Sequence, residues 1–267
     1  MIRAPPSMPF QYRCILLVGA TSGIGAALAD RFIQEGSKVI AVGRRQDRLD
    51  AFVQKHGEDK AGAMQFDITD REHMNQFVKD VTTTYPDLDC VHLNSGFQRM
   101  MDLSKPEEID LEVFHAQINT NFSCVVDMAI NFLPFLKSKS TETGLIFTSS
   151  NLGTVPAAPL PAYCASKAAL DSFILTLREK MRDTPVKVIE LSPPAVQTEL
   201  HDYMGAEKGR EMGMPLDQFL DEAYAGLAAG KDHVIVGSIG SAEEFRGLVE
   251  TRRRVFDNLA NDFRNLH

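Results

Sequence analysis

Tyr163, Lys167 and Ser150 are the residues of this 267-residue sequence whose types and spacing could carry out a reaction. Tyr163 and Lys167 stand four apart in Tyr-Cys-Ala-Ser-Lys, and the neighbouring Ala165, Ala168, Ala169 and Leu170 suggest a helix, so the two side chains share one face. Ser150 lies thirteen residues before Tyr163, at the end of the apolar run GLIFTS. Reducing a carbonyl needs a proton donor for the incipient alkoxide, a hydrogen bond that holds the oxygen, and a cation that makes the donor acidic. Tyr163, Ser150 and Lys167 offer these in that order. A phenol ionises near pH 10, and bringing that to about 7 takes roughly 4 kcal/mol, at about 1.36 kcal/mol per unit. One ammonium in a desolvated cleft, helped by a cationic ring nearby, has the right size of effect.

Such a trio needs a scaffold. From Arg13 onward, short aliphatic runs alternate with longer amphipathic stretches, the pattern of β-α-β units on a parallel sheet. Seven strands are predicted: CILLVG from Cys14, KVIAVG from Lys38, GAMQFD from Gly62, LDCVHL from Leu88, GLIFTS from Gly144, VKVIEL from Val186 and HVIVGS from His233. Several are apolar almost throughout, as expected of strands covered on both faces by helices. Helices are predicted after Gly23 and from Arg71. The right-handed crossover rule then favours an α/β fold of the doubly wound Rossmann type, with a seven-stranded parallel sheet. One domain spanning 1–267 is expected, with a substrate flap over about 198–230 and a C-terminal helical segment over about 241–267. In that last segment Phe245, Leu248, Val249, Phe256, Leu259, Phe263 and Leu266 recur at near-helical spacing, which predicts a helix packed on the core; a partner-docking helix is the alternative.

The first strand runs into Gly19-Ala20-Thr21-Ser22-Gly23-Ile24-Gly25, and a helical pattern begins at once. Residues without a Cβ let the backbone approach a pyrophosphate, while the free N–H groups and dipole of a new helix favour its charge. A plain strand-to-helix turn without a ligand is the competing account. The second strand ends at Gly43-Arg44-Arg45, where an acidic residue would bind two ribose hydroxyls and a guanidinium would pair with a 2′-phosphate. Arg44 stands at the deciding place, with Arg45 and Ser22 as helpers, and an exposed loop arginine as the bland alternative.

The loop, with Tyr163, Lys167 and Ser150, resembles the short-chain dehydrogenase/reductase family in its branch of about 250 residues, over roughly Arg13 to Thr198. The resemblance implies an NADP(H)-dependent alcohol dehydrogenase or carbonyl reductase, in which Tyr163 exchanges the proton and Lys167 both acidifies it and binds the nicotinamide ribose. It implies that Asp67-Ile68 clamps adenine, although Asp67 could equally cap a helix starting near Asp70. Asn94-Ser95-Gly96 resembles the family's Asn-Ala-Gly lining of the cofactor cleft. Asn121 is aligned with the family's Asn that holds a proton-relay water, with Asn119 as fallback. Ser192-Pro193-Pro194-Ala195-Val196-Gln197-Thr198 resembles Pro-Gly-x-x-x-Thr, which assigns Pro193, Val196 and Thr198 to the nicotinamide side; Pro194 replaces the usual Gly, and Val18 a usual Thr. Homodimers or homotetramers are the family's common assemblies.

Bulk properties narrow the alternatives. A net charge of −8, from 28 basic against 36 acidic residues, is the wrong sign for nucleic acid or anionic lipid. Four scattered cysteines give neither a metal site nor a disulfide framework, and fit a reducing compartment. Met1 to Arg13 has no signal-peptide core and no run approaches the roughly 18 residues of a membrane span, so a cytoplasmic protein is expected. His92 lies in an apolar run and reads as a core histidine. Phe97, Leu152, Tyr203, Met204, Met212 and Met214 are expected to frame a pocket for an apolar carbonyl compound. A dinucleotide sensor that kept the fold and lost the chemistry is the rival function, and a sugar-nucleotide epimerase or dehydratase a third.

Overall fold

In the computed structural model, which describes residues 10–266, the seven apolar runs all form strands. They are β1 (Cys14–Val18), β2 (Lys38–Gly43), β3 (Ala61–Gln65), β4 (Cys90–Leu93), β5 (Thr143–Thr148), β6 (Val186–Ser192) and β7 (His233–Ile235). They pair in the order β3-β2-β1-β4-β5-β6-β7, every pair parallel. Side chains alternate between faces: Leu16 and Val18 of β1 join one apolar cluster with Val91, Phe132 and Ile174, while Ile15 and Leu17 join the other with Leu28, Phe32 and Phe219. Because both faces are covered, β1 is buried at all its positions and shows no polar alternation.

The helices follow from the same arithmetic. Helices α1 (Gly23–Gln34), α2 (Gln46–His56) and α8 (Leu216–Ala228) send apolar residues into the second cluster; α3 (Met74–Thr84), α5 (Cys124–Lys137) and α6 (Pro161–Met181) send theirs into the first. Phe10, ahead of β1, stacks on Phe32 of α1 at 4.8 Å between ring centroids and so ties the start of the described chain to the core. Chain order reverses between β1 and β4, so the loops leaving their carboxyl ends diverge and open a crevice there. The signal-peptide reading of Met1 to Arg13 lies mostly outside the described residues.

Three expectations need correction. Helix α3 starts at Met74, not Arg71, because Asp70 accepts from the His73 backbone N–H and closes a turn ahead of it. The segment read as a flap is largely regular: a 3-10 turn (Glu199–Met204), the short helix α7 (Ala206–Arg210) and then α8, whose Phe219 and Tyr224 are core residues. The C-terminal pattern does form one helix, α9 (Ala242–Arg264), but only its Phe245 is buried, while Leu248, Leu259 and Phe263 stand more than half exposed. Charge rather than apolar burial holds it: Arg252 pairs with Asp171 of α6, Arg253 with Asp232, and Arg264 with Glu179.

Candidate active site

The loop after β1 is closed by the protein's own packing. Gly19 has φ +89, and a Cβ there would lie 2.8 Å from the Ser95 nitrogen. Gly25 faces the Gly19 carbonyl, which a Cβ would run into; Asn94 Nδ2 donates to that same carbonyl at 3.2 Å. The Asn-Ser-Gly segment after β4 therefore fixes the glycine loop after β1. Ser22 precedes α1 with no side-chain cap bond and no acidic residue follows in the first turn, so the first N–H groups of α1 and their dipole are free to serve an anion.

What would read that anion's neighbour comes from β2. Arg45 precedes α2 and folds back over the loop: its Nη2 donates to Thr21 Oγ1 at 2.8 Å and to Ser22 Oγ at 2.6 Å, and its Nη1 meets Glu199 Oε2 at 3.2 Å. Arg48 Nη1, on the first turn of α2, donates to the Thr21 carbonyl at 2.9 Å and to Glu199 Oε1 at 2.9 Å. Arg44 is three-quarters exposed, with Asp67 Oδ2 at 3.6 Å. Asp67 caps no helix; its Oδ1 accepts from the Thr69 backbone N–H and hydroxyl in a local turn, which leaves it on the crevice wall.

At the other end, Ser150 opens a 3-10 turn (Asn151–Gly153) and its Oγ accepts from the Leu152 N–H at 3.1 Å. The Ser150 hydroxyl is near enough to the phenol of Tyr163, on the first turn of α6, to favour its ionised form. Lys167, one turn along, is buried; its Nζ donates to the Thr148 carbonyl at 2.9 Å and lies 5.7 Å from the centroid of the Tyr163 ring. Burial lowers the Lys167 ammonium to about 8, against the pull of the Glu190 carboxylate. Burial also pushes the Tyr163 phenol up to about 12, and the Ser150 hydroxyl works the other way. Between these two effects on the phenol, desolvation wins.

Asn121 packs behind the Gly96-Phe97 segment of the cleft wall. It sits on a π-helical turn (Asn119–Ser123) between α4 (Leu111–Ile118) and α5, fully buried. Its amide clamps the Phe97 backbone from both sides, accepting from N–H at 2.9 Å and donating to C=O at 2.8 Å, and donates to Ser166 Oγ at 3.1 Å. Asn119, the fallback, lies beside the Cys124 thiol. His92 is fully buried with Nε2 on Thr148 Oγ1 at 2.9 Å, a core residue as its sequence context predicts.

One cleft of about 700 Å³ joins these parts. Every site residue singled out in the sequence lines it except Gly25, spent on loop packing, and Asn121, spent on the Phe97 loop. Phe97, Leu152, Met204 and Met212 line it as expected; Tyr203 and Met214 do not, Met214 being paired with Val196 in an isolated bridge. The sequence reading missed Gln98, Arg99 and His201 on this wall, and Arg48 and Glu199 at the loop. Arg48 follows Arg44 at helical spacing, which could have found it; no pattern points to the others.

A crevice with anion-ready helix and guanidinium groups at one end and a buried Ser-Tyr-Lys cluster at the other fits a dinucleotide whose reactive ring lies beside Tyr163. The comparisons agree with that geometry. A short chain dehydrogenase family model matches residues 13–209. The uncharacterized oxidoreductase DltE of Bacillus subtilis is 33% identical over 246 residues, 92% of this chain and 94% of its own. The NADP-dependent 3-hydroxy acid dehydrogenase YdfG of Salmonella typhi is 31% identical over 182 residues, 68% of this chain and 72% of its own. A serine dehydrogenase solved in its closed form with NADP+ superposes with a TM-score of 0.76 at 26% identity, covering 85% of this chain and 97% of that one. On the fold, the cleft and these matches, the chain belongs to the short chain dehydrogenase family.

Proposed function

We propose that this protein is an NADP(H)-dependent oxidoreductase that interconverts a carbonyl and a secondary alcohol, with Tyr163 exchanging the proton. The observation that carries this reading is the single cleft with Arg44, Arg45, Thr21 and Ser22 at one end and Ser150, Tyr163 and Lys167 at the other. The NADP named for YdfG and for the solved serine dehydrogenase supports the choice of nucleotide.

The nucleotide, once bound, supplies or accepts the hydride. Arg44 and Arg45 would pair with its 2′-phosphate, the α1 N–H groups with its pyrophosphate, and Lys167 Nζ with the ribose nearest the ring. Ser150 Oγ donates to the substrate oxygen and holds it beside the Tyr163 hydroxyl. In reduction Tyr163 releases its proton to the nascent alkoxide, a strong base; in oxidation the phenolate must form first. Because burial opposes that phenolate, the positive charge of the oxidised ring and the Lys167 ammonium have to offset the desolvation together.

The test is NADPH oxidation with a panel of ketones and aldehydes, beside NADPH binding followed by fluorescence. Tyr163→Phe is expected to lose about 10²–10⁴-fold in turnover while nucleotide affinity changes little. Tight nucleotide binding with no turnover of any carbonyl by the wild type would point instead to a sensor.

A further inference from the structure

Of the charged side chains on the cleft wall, Arg44, Arg45, Asp67 and Glu199 cluster at the glycine loop and the end of β2, and Lys167 sits beside Tyr163. Among the described residues that leaves Arg99 as the one charge on the substrate side. Its guanidinium is held in place: Nη1 donates to the Gln98 carbonyl at 2.7 Å, and the carbon lies 5.0 Å from the Tyr203 ring centroid and 5.6 Å from that of Phe97. No ion pair with a carboxylate forms at Arg99 among the described residues, although the chain as a whole carries a net charge of −8. Arg99 is exposed on the cleft wall, so a guanidinium set against two aromatic rings and without an internal counter-charge is open to an anionic ligand there.

Its surroundings are ordered toward the same end. Gln98 is buried, and its Nε2 donates to His201 Nδ1 at 3.0 Å and to the Tyr203 hydroxyl at 3.2 Å. His201 is buried as well, and that burial lowers its basicity and disfavours a second positive charge there. Arg99 and Tyr163 line the same cleft, and Tyr203, bound by Gln98, backs the Arg99 guanidinium. The same cleft is also lined by the apolar Leu152, Leu160, Met204 and Met212.

We infer that the substrate is an oxo acid, or the hydroxy acid it becomes, whose carboxylate pairs with Arg99 while its carbonyl lies between Ser150 and Tyr163. This inference rests on the proposed oxidoreductase reading of the same cleft and replaces the apolar compound expected from sequence. The reaction balances simply: hydride from NADPH forms the new C–H bond, the Tyr163 proton forms the O–H bond, and the carboxylate is unchanged. Arg99 positions the substrate and takes no proton.

The test uses a chain-length series of oxo acids, each beside its methyl ester, with the wild type, Arg99→Gln and Arg99→Lys. The wild type is expected to favour the acid in kcat/KM, and Arg99→Gln to reduce that preference about tenfold or more, the size of a lost charge-assisted pair, chiefly through KM; Arg99→Lys retains part of it. Hexanoate binding to the NADPH complex reads the same site without turnover. Acids and esters used alike by the wild type, or an equal loss for both in Arg99→Gln, would overturn the inference. Arg99-dependent hexanoate binding with no turnover of either series would keep the anion site and sink the oxidoreductase reading; hexanoate binding that ignores Arg99 sinks the anion site.

Discussion

Arg45 and Glu199 are 154 positions apart in the chain and 3.2 Å apart in the fold, Nη1 to Oε2, with Arg48 closing the other side of the same carboxylate. Partial burial alone would raise the Glu199 carboxyl, but Arg48 and then Arg45 outweigh it and hold the group below the usual range. An anion from the start of the 3-10 turn after Thr198 thus lies against the guanidinium proposed to read the 2′-phosphate. Neutralising it should strengthen the nucleotide's hold. Glu199→Gln is expected to tighten NADPH binding by a few-fold and leave NADH nearly unchanged, the modest size reflecting a partly exposed, screened site. Fluorescence titration of both nucleotides checks this, and an identical change for the two would show that the phosphate does not reach Arg45.

Arg44 offers a sharper change in the same selectivity. It is the more exposed of the two arginines, and its one ion pair, to Asp67 at 3.6 Å, is loose. Arg44→Asp replaces an attraction with a repulsion and supplies a carboxylate for ribose hydroxyls. The kcat/KM ratio of NADPH to NADH should fall by well over tenfold, in line with a charge-assisted bond worth roughly 1.5–3 kcal/mol. If the ratio holds in Arg44→Asp and collapses in Arg45→Ala, Arg45 is the reader.

Tyr163 has a spectroscopic signature. Burial raises its phenol from the ordinary value to about 12, so its neutral form persists through the alkaline range in which an exposed tyrosine ionises. The sign with nucleotide is opposite: a positively charged ring nearby favours the phenolate, so NADP+ should lower that ionisation and NADPH should not. Difference absorbance near 295 nm between the wild type and Tyr163→Phe isolates this group from the other four tyrosines. Absence of any NADP+-dependent displacement would remove the phenol from the ring's neighbourhood.

Legibility of the chain divides along physical lines. The strands are readable because a sheet covered on both faces buries every position, and runs such as CILLVG have no other use. Ser150, Tyr163 and Lys167 are readable because one helix and one strand end fix their separation. Glu199 and Arg48 are not, since an ion pair closed by tertiary structure over 151 positions leaves no spacing in the sequence. Arg99 is hidden for the related reason that its value lies in what fails to pair with it. The α9 pattern predicts an apolar face correctly but not its cover, because periodicity fixes a direction around a helix axis and nothing about the neighbour.

Glu190 behind Lys167 gives the last expected outcome. Lys167 reaches only a neutral carbonyl, at Thr148, and its burial is opposed chiefly by the Glu190 carboxylate on β6. Glu190 is itself buried, with Oε1 accepting from Ser149 Oγ at 2.6 Å and Ser192 Oγ at 3.2 Å, and His233 Nε2 lying 3.7 Å from Oε2. Burial raises its carboxyl, and the Ser149 hydroxyl and then Arg178 draw it back down; Asp171 of α6, bound to Arg252, is the other acid facing it. Removing the charge in Glu190→Gln leaves burial of Lys167 less opposed, so the ammonium loses its proton at a pH below about 8. The alkaline limb of the NADPH-dependent reduction should then move to lower pH, and Glu190→Asp, which keeps the charge, should restore much of it. A purely structural role would lower the whole profile without moving its limb. That result would leave Lys167 held in its charged form by the nucleotide alone, and Glu190 as part of the packing between β6, β7 and α6.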